Sequence, residues 1–173
     1  MRILVTGASG AGTTTLGRAL AQELGCPALD ADHYYWLPTE PPFRDKRDRT
    51  ERRAMLERDL VTDPVVVSGS VMDWGPKIED AFDLIVFLTL PAEIRVARLQ
   101  AREEAAFGRV DPKFLEWATQ YDSGTQAGRS RLRHERWLAM RKSPVLRIDG
   151  DTSVEERVRR VLEAIPRGRP TPS

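Results

Sequence analysis

The chain has 173 residues, 40% of them hydrophobic, 31% charged and 7% aromatic, close to an average soluble globular domain. That length supplies one sizeable core and excludes a multidomain enzyme, and the composition excludes disordered and membrane classes. Lysine plus arginine total 27 against 26 acids, a net charge of +1, so no global field favours nucleic acid or an anionic membrane and any anion site must be local. Within the basic set only Lys46, Lys77, Lys113 and Lys142 are lysines; the rest are arginines, which bind phosphate through a planar fork. The single cysteine, Cys26, cannot form an internal disulfide, and no long apolar signal core precedes Gly7. A cytoplasmic monomer or homodimer is the expectation.

In chain order, Arg2 to Thr6 is a β-rich apolar run, followed by a glycine-rich stretch and then Thr13 to Leu24, whose leucines at 16, 20 and 24 fit one helical face. Val65 to Ser68, Leu84 to Leu88 and Val145 to Ile148 read as buried strands. Pro91 to Arg102 reads as a helix leaving the second of these, and Val154 to Ile165 as a final helix introduced by Asp151-Thr152-Ser153. Buried apolar runs alternating with helices predict an α/β fold, a parallel sheet with helices on both faces. One domain, residues 1–166, is expected, with a disordered tail over 167–173. Two polar insertions, Leu37 to Asp48 and Glu103 to His134, are expected to be mobile covers over one site, the second a lid.

Gly7-Ala8-Ser9-Gly10-Ala11-Gly12-Thr13-Thr14 fits the phosphate-loop pattern G-x-x-x-x-G-K-[ST] everywhere except the lysine, and lies after a strand and before a helix. Glycines let such a backbone curl so that successive N–H groups converge on a phosphate at the positive end of a helix. Gly7 to Thr15 are therefore the candidate nucleotide contacts, with Thr14 in place of the hydroxyl that ligates magnesium. Thr13 has neither the charge nor the reach of the missing lysine. Either a lid arginine supplies the charge, or the chain binds nucleotide without transferring phosphoryl groups.

A second strand is expected to end at Ala28 to Asp32, placing Asp30 and Asp32 at the crevice beyond the strand ends and on one face if the strand persists. Asp32 is the candidate to accept a proton from an attacking hydroxyl, and Asp30 is equally suited to capping the next helix. Tyr35, Trp36, Ser68 and Gly69 are candidate acceptor contacts, with Asp73, Trp74 and Gly75 following. His33 and His134 have no spacing for zinc. Arg95, Arg98 and Arg102 share one helical face, Arg98 suited to stacking on a base and Arg102 to clamping phosphate. The Arg129 to Arg133 cluster adds cations that a closing lid brings inward, Arg129 among the candidate catalytic groups.

Phe82 to Glu93, followed by Arg98-Leu99-Gln100-Ala101-Arg102, resembles the strand and lid-helix signature of adenylate-kinase-like P-loop kinases. Leu29-Asp30 with Trp36-Leu37-Pro38, and Phe114 to Trp117 with Tyr121, resemble the topology-modulation (FlaR-type) subfamily. The resemblance implies a three-layer P-loop fold with a five-stranded parallel core and a helical lid. It also implies ATP with magnesium, phosphoryl transfer to a small-molecule or nucleotide acceptor, Arg98 on the adenine and Arg102 on phosphate. The Asp30-to-Asp32 pair is similar to the D-x-D of shikimate-kinase-like relatives, where an aspartate meets magnesium and the acceptor hydroxyl. The rival expectation is a nucleotide-binding regulator without chemistry. Nucleic-acid modification through Arg129 to Arg133 is a third; no N-K-x-D guanine motif favours a GTPase.

Overall fold

The computed structural model describes residues 1–124 and 130–165. The chain runs β1 (Arg2–Gly7), α1 (Thr13–Glu23), β2 (Ala28–Asp30), α2 (Ala31–Tyr35), α3 (Arg49–Asp59), β3 (Val65–Ser68) and α4 (Pro76–Glu79), then β4 (Leu84–Thr89), α5 (Ala92–Phe107), α6 (Pro112–Thr119), α7 (Arg131–Ala139), β5 (Val145–Asp149) and α8 (Val154–Ala164). All strand pairs are parallel, in the order β2-β3-β1-β4-β5. The connection after β1 leads toward one edge and that after β4 toward the other. Their C-terminal ends therefore flank the point where an open α/β sheet forms its ligand crevice.

The continuous apolar runs are explained by burial of both faces. Leu4, Val65, Val67, Ile85 and Phe87 face a core closed by Leu56 of α3, Ile78 of α4 and Trp137 and Leu138 of α7. Ile3, Val5, Val66 and Val86 face the opposite core with Leu16 and Leu20 of α1 and Val161 of α8. Burying a leucine this completely contributes roughly 1.5–3 kcal/mol. The expected three-layer arrangement is thus present, with β1, β3, β4 and β5 each feeding both layers.

One helix is added and two expectations change. The helix α3 lies in a stretch whose charge conceals it; its buried face includes Leu56 and Arg52. The insertion at 37–48 is pinned by a Trp36–Lys46 bridge and by the Leu37 N–H donating to the Asp45 carbonyl. The far end of the segment 103–134 belongs to the core, because Ser130 and His134 are buried and α7 packs on β4 through His134 and Phe87, ring centroids 5.5 Å apart. Arg129 and the tail after 165 lie outside the described residues.

Candidate functional site

The loop between β1 and α1 depends on glycine. Gly10 and Gly12 have φ of +82° and +92°, in the region L side chains rarely adopt, and a Cβ on Gly10 would stand 2.5 Å from the Arg95 carbonyl oxygen. Asp48, Ser130 and Ser153 cap α3, α7 and α8 with side-chain oxygens, whereas α1 starts at Gly12 with no side-chain cap. Its first N–H groups are left to a ligand or water, at the end of the helix that carries partial positive charge. Thr13, Thr14 and Thr15 form this first turn.

The Thr14 hydroxyl donates to Asp30 Oδ2 at 3.2 Å, joining the loop to the end of β2. Asp30 also accepts from the Asp32 N–H at 3.0 Å and so caps α2. The strand does not persist to Asp32: it ends at Asp30, and the expected alternation gives way to the first turn of a helix, with Asp32 half-exposed on the rim. Tyr35 and Trp36 follow, their rings edge-on at 4.8 Å.

Ser68, expected to face the acceptor, instead lies below the rim. It is buried, donates to the Leu29 carbonyl at 3.3 Å, and packs on α1 where Gly17 leaves room; a Cβ there would be 2.9 Å from that of Ser68. Gly69 is at the rim beside Ala31, its N–H donating to the Val5 carbonyl. Trp74 is core, and Asp73 organises arginines: its carbonyl accepts from Arg49 and Arg53, and its carboxylate from Arg133 at 2.9 Å.

Arg52 escaped the sequence reading. Only 7% exposed, its guanidinium lies 4.5 Å from the Tyr35 ring centroid and 5.1 Å from that of Trp74; its Nε has no hydrogen-bond partner and no carboxylate pairs with it among the described residues. A run of charges at 49–59 looks like a solvated face, and only the fold places two aromatic rings against one member.

The three arginines of α5 separate. Arg95 is 1% exposed and structural, donating to the Leu90 and Ala118 carbonyls and pairing with Asp122 at 2.5 Å, over the Tyr121 ring. The Tyr121 hydroxyl in turn bonds His134 Nδ1 at 2.6 Å, and burial, with the Asp122 carboxylate adding, holds that phenol above its usual range. Arg98 lines a cavity of about 200 Å³ together with Gly12, Thr15, Thr152 and Arg157, the region where a base beside the loop would lie. Arg102 is exposed and pairs with Glu103; none of its contacts among the described residues reaches the loop. A larger cavity of about 350 Å³ lies between Ala8, Thr89, Arg95, Asp122 and Arg131. Among the described residues no cluster of histidine, cysteine or carboxylates could hold a metal by itself, and no helix is long and apolar enough to cross a membrane.

A family model described as an AAA domain matches residues 3–109. Uncharacterized protein YqaC of Bacillus subtilis is 44% identical over 172 residues, covering 93% of this chain and 95% of that one. Shikimate kinase 2 of Syntrophotalea carbinolica is 34% identical over 113 residues, 60% of this chain and 66% of its own. Among solved structures, shikimate kinase from Bacteroides thetaiotaomicron superposes with a TM-score of 0.62 at 21% identity, covering 95% of this chain and 97% of that one. A gluconokinase from Sinorhizobium meliloti gives 0.58 at 20% identity, with 95% and 90% covered. The architecture is thus the α/β P-loop kinase fold. The chain belongs to the AAA-domain family that this model describes.

Proposed function

We propose that the protein is an ATP-dependent phosphotransferase that moves the γ-phosphate to a small acceptor bearing an anionic group. The observation that carries this reading is the Thr14–Asp30 hydrogen bond: it holds the first turn of the phosphate loop's helix against the carboxylate rim, so donor and acceptor sites adjoin. The loop amides from Gly7 to Thr15 bind the phosphates, and Arg98 packs on the base. Asp32 takes the proton of the attacking hydroxyl, while Tyr35, Trp36 and Gly69 wall the acceptor. Arg52, buried with no counter-ion among the described residues, seats the acceptor's carboxylate or phosphate in charge-assisted hydrogen bonds.

The donor set fits magnesium: a hydroxyl and two nearby carboxylates are hard oxygen ligands, and magnesium characteristically completes its shell with water and substrate phosphate. Thr14 would hold it directly and Asp30 through water; when bound it neutralises charge on the phosphates. Arg102 and Arg129 are assigned to the transferring group only with the lid closed. Membership of the topology-modulation (FlaR-type) subfamily and a cytoplasmic location complete the proposal.

Thr13 favours a second reading, a nucleotide-binding regulator without transfer. Single-turnover reactions with γ-labelled ATP, magnesium and a panel of small hydroxy acids, sugar phosphates and nucleoside monophosphates test the first against the second. Labelled product from an anionic acceptor, but not from its neutral analogue, is expected. ATP binding with no product above the uncatalysed background would establish the regulator.

A further inference from the structure

The loop lacks its lysine, yet a buried cation touches it from the far end of the chain. Arg157, on α8, is 4% exposed. Its Nη1 donates to the Ala11 carbonyl at 3.1 Å, its Nη2 to the Gly150 carbonyl at 3.1 Å and its Nε to the Thr152 hydroxyl at 3.1 Å. A Cβ on Gly12 would lie 3.2 Å from Nη1, so the guanidinium rests directly behind the last glycine of the loop. All three acceptors are neutral. They satisfy three of the five N–H donors of a guanidinium and leave its charge uncompensated.

The nearest carboxylate does not neutralise the pair of arginines around it. Asp151 bonds Arg98 at 2.6 Å and stands 3.9 Å from Arg157, so two guanidiniums share one acid and the group carries a net charge of about +1. Both arginines line the same cavity as Gly12 and Thr15. Burial, with the positive charge of Arg98 adding to it, holds Arg157 below its ordinary range. A polyphosphate on the loop beside the cavity relieves the second effect.

We propose that Arg157, which touches the loop beside the cavity where Arg98 packs on the base, supplies from the C-terminal helix the positive charge that residue 13 does not bring to the polyphosphate. This assignment rests on the nucleotide-site reading above and identifies the cation in that site as one outside the lid. It also gives Gly12 a second reason to be glycine: a side chain there would displace the guanidinium as well as strain the turn.

Calorimetry with magnesium–ATP and with inorganic tripolyphosphate, on the full chain, tests it. Arg157→Gln keeps donors for the carbonyls and removes the charge; it is expected to weaken both ligands about tenfold, by the same factor, since base contacts are absent from one of them. Thr13→Lys is expected to recover most of that loss in the Arg157→Gln background and to gain less in the wild type, a coupling that independent sites would not give. Asp151→Asn, which leaves every Arg157 hydrogen bond in place, is expected to tighten both ligands several-fold, and it decides the matter if Arg157→Gln does not fold. Unchanged affinities in Arg157→Gln, a loss confined to ATP, or no gain in Asp151→Asn would each overturn the role of Arg157 while leaving the nucleotide site standing. Failure of the wild-type chain to bind either ligand would instead overturn the site itself, and this assignment with it.

Discussion

Two nearly buried guanidiniums lie on opposite sides of the glycine-rich loop, and the fold holds them in opposite ways. Arg157, on the β5 side, is fixed by three neutral oxygens; Arg52, on the β2–β3 side, is fixed by two aromatic faces and by no oxygen among the described residues. Carbonyls satisfy donors without cancelling charge, so the first cation is rigid and its orientation is set before any ligand arrives. Aromatic faces attract a cation without using its N–H groups, so the second keeps its donors for whatever enters. On the proposed function, the donor side is preorganised for one chemical feature, a polyphosphate, and the acceptor side specifies only that its ligand be anionic.

That contrast can be broken, beginning with the largest effect. Asp32→Asn is expected to cut phosphoryl transfer by roughly 10²–10⁴-fold while leaving ATP affinity unchanged, because it removes the proposed proton acceptor and keeps every amide of the phosphate loop. Parallel rapid-quench and binding measurements check it, and a matching loss of ATP affinity would merge the two regions. Arg52→Met is expected to raise the acceptor KM about 100-fold, roughly 2.7 kcal/mol, again without effect on ATP. It is also expected to leave thermal stability equal or higher, since a buried cation without a carboxylate partner is costly to fold around. A fall in melting temperature would show that Arg52 is a structural cation like Arg95.

Asp122→Asn provides the donor-side counterpart. It leaves Arg95, 1% exposed, with carbonyl partners only; with Asp122 itself 36% exposed, solvent screening reduces the expected cost to about 1–2 kcal/mol, read by urea unfolding. The smallest effect is one of acid. Hydrogen bonds from the Glu51 and Thr50 N–H groups hold the Asp48 carboxyl below the usual carboxylate range. Its contribution to α3 is complete above the unfolded value, near pH 4, and is lost as pH falls through the lowered folded value. Amide exchange in α3, which carries Arg52, should therefore accelerate in acid before exchange in α7, whose cap is Ser130. Asp48→Asn should remove the difference.

Much of this was legible from residues alone, for reasons that can be named. The strands are apolar on both faces, so their runs stand out, and the loop from Gly7 to Thr14 has a spacing that few other structures require. The helices packed on the other face of the sheet from α1 and α8 were harder. In α7, His134, Trp137 and Leu138 repeat at the spacing of one buried stripe, a signal that the neighbouring arginines obscured. Arg52 and Arg157 gave no local sign, because an arginine's burial is decided by rings and carbonyls that reach it from distant segments: Tyr35 and Trp74 in one case, Ala11 and Gly150 in the other. Asp30 illustrates a finer limit. Alternation was a sound guide only while the strand continued, and it stopped two residues short of Asp32.

A glycine in the middle of a helix costs about 1 kcal/mol relative to alanine, and α1 accepts that cost at Gly17. The return is proximity, since the helix settles onto Ser68 at a separation no methyl group would permit. Widening that seam by a single carbon would lift the helix off β3 and, on the proposed function, stretch the gap a phosphoryl group would cross. The span between the two proposed substrate sites would thereby be governed from beneath the rim, by a position that meets neither of them.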